Sequence, residues 1–106
     1  MNANTKSVTV VITCSIQTGK MELAKREFET IIKTVVANEK ACHGIRVHDD
    51  PKDPKRLLLI EYWDSVEGFT GPHMQTHHMQ AFLKSAEAFL DGSPEFGFWR
   101  EFAVAS

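Results

Sequence analysis

Residues 56–64 read RLLLIEYWD, an almost continuous apolar run that stops at Asp64-Ser65. At this length, periodicity alone does not separate a buried strand from a buried stretch of helix. The short span, the Ile, Tyr and Trp, and the polar stop select a strand. Alternate side chains then share a face, so Leu57, Leu59, Glu61 and Trp63 point one way and Leu58, Ile60 and Tyr62 the other.

The rest of the chain falls into order around that strand. Ahead of it, ACHGIRVHDD alternates His43, Ile45 and Val47 against Cys42, Arg46 and His48. The following DDPKDPK carries two prolines and several acids, which predicts a loop and an antiparallel hairpin. Ser7 to Ile16, SVTVVITCSI, is β-branched and alternating, hence another strand. Thr18-Gly19 offers an N-cap. From Lys20 to about Asn38 the apolar Ala24, Phe28, Ile31, Ile32 and Val35 recur at helical spacing, opposite Glu22, Lys25, Glu29 and Lys33.

Beyond Trp63, Asp64 or Ser65 caps a short helical turn, SVEGF, that stops at Gly71-Pro72. Pro72 then opens a helix from His73 to about Leu90, with the stripe His78, Met79, Phe82, Leu83, Ala86, Phe89 and Leu90. Asp91-Gly92-Ser93-Pro94 ends it, and EFGFWREF alternates as a last strand. The order β-α-β-β-α-β is the split βαβ arrangement of an α+β, ferredoxin-like sheet with helices on one face. The other face carries Val11, Leu58, Ile60, Tyr62 and Trp99, too apolar to meet water, and the expected cover is a second copy in a two-fold homodimer.

Composition narrows the function. The 106 residues make one domain, with residues 1–6 expected to be flexible. A net charge of -2, with basic residues spread along the chain, argues against a nucleic-acid or anionic-membrane partner. No apolar stretch is long enough to cross a membrane, and the polar start MNANTKS predicts a cytoplasmic protein. Cys14 and Cys42 lack metal or redox spacing and read as small buried hydrophobes.

Two features carry chemistry. Glu61 lies inside an apolar strand, where burial raises a carboxyl pKa unless a partner compensates. GPHMQTHHMQAF, residues 71–82, gathers His73, His77 and His78. On one helix His78 stands a turn from Phe82 and faces the sheet, toward Glu61, while His73 and His77 form a pair nearer the helix edge. Plainer readings stand beside these: Glu61 paired with Arg46 or Arg100, His78 bonded to a backbone carbonyl, His77 solvated, Trp63 simply core. A metal site lacks HExxH spacing and flanking ligands, so none is expected.

Glu39-Lys40-Ala41-Cys42 and LLLIEYWDSVEGFTGPHMQTHHMQAF resemble the antibiotic biosynthesis monooxygenase family. That family shows Glu-Pro-Gly-Cys before the second strand, Glu-x-Trp ending the third, and His-x4-His-x3-Phe opening the last helix. The matching positions are Glu39 and Cys42, Glu61 and Trp63, and His73, His78 and Phe82, with Lys40-Ala41 replacing Pro-Gly and His77 standing where relatives often carry proline. The resemblance runs from about Val8 to Phe102. It implies a homodimer of two sheets closed into an α+β barrel, each pocket lying between a sheet and its own helices. It implies oxidation of a quinol or related phenolic polyketide by O2 without metal, flavin or haem. The roles that follow are His78 as base or proton shuttle, Glu61 as its orienter, His73 at the pocket mouth on the substrate oxygen, and Trp63, Phe82, Met79 and Ile12 as substrate-binding wall. Similar folds degrade haem, using a first-strand Asn that VTVVITCSI lacks, or convert small phosphorylated signalling ketones; a dimer that only binds an apolar ligand is the non-enzymatic counterpart.

Overall fold

The protein is described over residues 6–106 of a computed structural model. Apart from Lys6, the expected flexible N-terminus lies outside the described residues. The elements are β1 (Val8–Ser15), α1 (Met21–Asn38), β2 (Cys42–Asp50), β3 (Asp53–Trp63), α2 (Val66–Gly68), a π-helical turn (Phe69–His73), α3 (His77–Ala86) and β4 (Glu95–Trp99). The strands form one antiparallel sheet in the order β2-β3-β1-β4, which is the ferredoxin-like arrangement.

Register fixes the two faces. Val10 lies opposite Glu61, Ile12 opposite Leu59 and Cys14 opposite Leu57, so these six side chains point together into the core. Helix α1 covers them with Ala24, Phe28, Ile31 and Val35, all buried. The Phe28 ring meets Phe82 of α3 at 5.2 Å and Phe89 at 5.8 Å, which ties the helices together over the sheet. The opposite face holds Val11, Leu58 and Ile60 half-buried, Tyr62 at its margin of exposure and Trp99 at 64%. Trp99 lies across Gly97, where a Cβ would sit 2.9 Å from the indole nitrogen.

Several details depart from the sequence reading, each for a local reason. Thr18 does not cap α1; Gly19, at φ +81°, carries the turn, and the helix begins after Lys20 with no side-chain cap. The expected DDPKDPK loop contracts to a turn at Pro51-Lys52. Asp50 Oδ1 accepts from the Lys52 backbone N–H at 2.9 Å, and Asp53 Oδ1 from that of Lys55 at 3.0 Å, so the acids fold the chain back at once. A bulge between Cys42 and Gly44 turns His43 outward and puts Cys42 inside with Ile45 and Val47, reversing the expected pairing of faces there. The last strand ends at Trp99, opposite Thr9 near the start of β1; Arg100 to Phe102 run past the end of the sheet, and Phe102 is exposed.

The largest departure decides the site. Ser65 caps α2 by accepting from the Gly68 N–H at 3.0 Å, but the chain does not stop at Gly71-Pro72. It widens into the π turn, which includes Pro72 in its backbone and buries both Phe69 and His73. Helix α3 then starts only at His77, so His73 and His77 do not share a helix face: the first is buried and the second exposed.

Thr76 is the hinge between these pieces. Its hydroxyl donates to the His73 carbonyl at 2.9 Å and accepts from the Met79 N–H at 3.2 Å as the N-cap of α3. Thr76→Ala is therefore expected to lower unfolding stability by about 1 kcal/mol in urea titration, the usual cost of a lost N-cap. An unchanged midpoint would show that the cap does not hold α3 in place.

Candidate active site

The inner face of the sheet, α1, the π turn and α3 line a half-open cavity of about 80 Å³. That is several times the ~10–15 Å³ that admits one water. Its wall is mostly apolar, with Ile12, Phe28, Leu59, Phe69, Met79 and Phe82 among its lining residues. Glu61 and His73 are the acid–base groups on it, together with the thiol of Cys14.

Glu61 reaches the cavity because β3 alternates. The residue two further on, Trp63, points the same way, and its indole Nε1–H donates to Glu61 Oε1 at 2.9 Å. Burial pushes the Glu61 pKa up to about 7; the Trp63 bond pulls it down, and the negative charge of Glu39 adds to the rise. Near neutral pH this carboxyl exists in both protonation states, unlike an exposed glutamate. The Cys14 thiol is pushed up to about 11, by burial first and by Glu61 second, so it remains a neutral lining group.

His73 arrives from the π turn. Its ring is sandwiched, 4.5 Å from Trp63 and stacked at 5.3 Å on Phe69. Its Nδ1 lies 3.0 and 2.9 Å from the two oxygens of Glu39, the residue that closes the C-terminus of α1. A carboxylate needs a donor, so Nδ1 carries the proton and Nε2 is left as an acceptor. Burial lowers the pKa of His73, Glu39 opposes that, and His78 lowers it further. His78 places Nε2 at 2.6 Å from the same Glu39 Oε2, with its side chain 22% exposed.

The structure thus redistributes the expected site. Glu61, His73, Met79, Phe82 and Ile12 line the cavity. The expected Glu61–His78 pair does not form: Glu61 bonds to Trp63 and His78 to Glu39, because α3 starts too late to carry His78 over the sheet. His73, expected at the mouth, is the buried histidine, and Trp63 stands behind Glu61 and His73 instead of on the cavity wall. Arg46 pairs across from Ile60 and belongs to the outer face, which rules it out as the partner of Glu61. Glu39 was visible only as a motif position; its role follows from standing where α1 ends, against the π turn. Among the described residues no group of three His, Cys, Asp or Glu side chains is arranged to hold a metal ion. Both cysteines are free and buried.

Known proteins place this architecture. The chain superposes on a protein from Pseudomonas aeruginosa with a TM-score of 0.82 at 22% identity, covering 96% of this chain and all (100%) of that one. A protein from Bordetella bronchiseptica, named as a proposed antibiotic biosynthesis monooxygenase, gives 0.84 at 15% identity, covering 92% and 99%. One from Nitrosomonas europaea with the same designation gives 0.85 at 13%, covering 100% of both chains. At these identities the likeness establishes the fold. Among curated proteins none matches the sequence. The sequence pattern of one family, described as antibiotic biosynthesis monooxygenase, matches residues 7–85 and so takes in β1 through most of α3, with Glu39, Glu61, His73 and His78 inside it. The chain belongs to the antibiotic biosynthesis monooxygenase family.

Proposed function

We propose that the protein is a cofactor-independent monooxygenase that oxidises a small quinol or related phenol with O2. The observation that carries this reading is a buried carboxyl, Glu61, set on the wall of an apolar cavity with the Trp63 indole as its donor, where burial raises its pKa. An electron-rich phenol becomes a far better electron donor to oxygen once its O–H proton is removed. Glu61, ionised, takes that proton: the substrate O–H bond breaks and a carboxyl O–H forms. The phenolate then gives electrons to O2. One oxygen atom enters the substrate and the other leaves as water with the two hydrogens lost, so a quinol and O2 give a hydroxyquinone and water. The apolar wall of Ile12, Met79 and Phe82 keeps bulk water from the reacting anion.

In this reading His73 accepts a hydrogen bond from a second substrate hydroxyl through Nε2. His78 acts indirectly by holding Glu39, and Trp63 fixes both Glu61 and the His73 ring. The cavity also discriminates between ligand classes. No Lys or Arg lines it among the described residues, so a phosphorylated ketone would meet no counter-charge, and about 80 Å³ suits a small aromatic ring far better than haem.

The half-exposed outer sheet face is covered, on this proposal, by a second copy. It is contiguous across three strands and centred on Val11, Leu58 and Ile60, with Tyr62 and Trp99 exposed on it.

With menadiol in an oxygen electrode, kcat/KM should rise with pH through a midpoint near 7, where Glu61 ionises. Glu61→Gln should remove that limb and cost roughly 10²–10⁴-fold in rate. Because the carboxyl is held above its ordinary value, the folded state binds the extra proton and loses stability as pH rises from the unfolded pKa toward 7. The same Gln variant should then be more stable than wild type at pH 8 by on the order of 1–3 kcal/mol, a gain that separates lost chemistry from lost folding. Wild-type turnover retained by Glu61→Gln would remove the assignment. Separately, sedimentation at micromolar concentration should show a dimer that Trp99→Glu dissociates; a wild-type monomer would contradict the covered face.

A further inference from the structure

Glu39 closes on two histidines at once. Oε2 lies 2.9 Å from Nδ1 of His73 and 2.6 Å from Nε2 of His78, while Oε1 lies 3.0 Å from the same His73 nitrogen. The two rings differ in position: His73 is buried on the cavity wall, and His78 stands at the edge with its side chain 22% exposed. The carboxylate between them is itself nearly covered, at 11%. One negative charge in poor solvent stabilises one imidazolium beside it; a second would add repulsion between the rings without a second counter-charge. His73 and His78 therefore share a single counter-charge across one carboxylate.

We propose that Glu39 is a shared counter-ion that couples proton uptake at the cavity histidine His73 to proton release from the solvent-reachable His78. In the state where His78 holds the extra proton, His73 is neutral, with Nδ1–H on Glu39 and Nε2 free. Transfer to Nε2 of the proton of the second ligand hydroxyl, the one that Glu61 does not take, breaks that O–H bond, forms an N–H bond and makes His73 the imidazolium. His78 then gives a proton to water, so Glu39 again faces one cation and the ligand oxygen keeps the negative charge. The net result is one proton moved from cavity to solvent without a water channel. No buried polar side-chain atom lacks a partner among the described residues, which agrees with Nε2 opening on the cavity instead of being sealed.

The other ionisable groups around the Glu39–His73 cluster come from the neighbouring strands. They are Glu61 on β3, across the Trp63 indole, Cys42 on β2, pushed up to about 11 by burial first and by the charges of Glu61 and Glu39 after it, and Cys14 on β1. Exposed His77 is adjacent to His78 on α3 but makes no bond to Glu39 among those described. Among the described residues, Glu39 is the one carboxylate that touches both rings.

The use of this coupling in turnover rests on the proposed phenol oxidation; the coupling itself rests on geometry alone. The test is an imidazole ¹⁵N NMR titration of the full-length protein from pH 4.5 to 9, in wild type, His78→Gln and Glu39→Gln. His78→Gln removes the competing cation and should raise the His73 midpoint, whereas Glu39→Gln removes the counter-ion and should lower it, each by on the order of one pH unit. His78 is partly exposed, so its variant decides the matter even if Glu39→Gln fails to fold. A His73 midpoint that stays put when His78 is replaced would overturn the proposal. Menadiol separates the two ideas: shifted midpoints without oxygen uptake would uphold the coupling and contradict the oxidation, while uptake with unmoved midpoints would do the reverse.

Discussion

A carboxyl held inside an apolar cavity by a single indole N–H is the constraint on which the rest depends. Glu61 cannot leave the cavity without turning β3 over, because a one-residue slip would send Leu57, Leu59 and Trp63 out with it. The strand's register, fixed by both neighbours, is thus what keeps an ionisable group where water is scarce. Desolvation then does the chemical tuning, and the Trp63 bond limits how far it goes.

Around this carboxyl the protein builds a second, separate polar cluster. Trp63 lies between the two: it donates to Glu61 and its ring lies 4.5 Å from that of His73. Glu39 draws His73 and His78 together from the end of α1, a π turn and the first turn of α3. The site is therefore a division of labour between a strand, which supplies a buried acid, and three helix ends, which supply histidines on a common counter-ion. Local irregularities do the positioning. The widened turn buries His73, and the bulge at His43 brings Cys42 in beneath Glu39.

The strands and their faces were legible because side-chain alternation is a strong, local signal. It placed Glu61 and Trp63 inward, Tyr62 and Trp99 outward, and the apolar outer surface where the structure has it. The helix α1 was equally plain from its stripe. What alternation and helical spacing do not encode is a change of pitch: a π turn followed by a fresh helix start moves every later side chain around the axis. For that reason His78 was expected over the sheet and His73 at the mouth, and the reverse holds. Glu39 carried no periodic signal at all, since its role comes from three elements meeting in space. The length of the DDPKDPK turn was not legible, because prolines and acids mark a turn without fixing its length.

The central claim is that Glu61 titrates near neutrality because the fold buries it. Carboxyl ¹³C NMR on protein labelled at glutamate, with Glu61→Gln to assign the resonance, measures this without any substrate. The account predicts a Glu61 midpoint near 7 that moves higher in Trp63→Phe, where the indole donor is lost. A midpoint at the ordinary glutamate value of about 4.3 would contradict it, and with it the reading of this cavity as the place where a proton is taken.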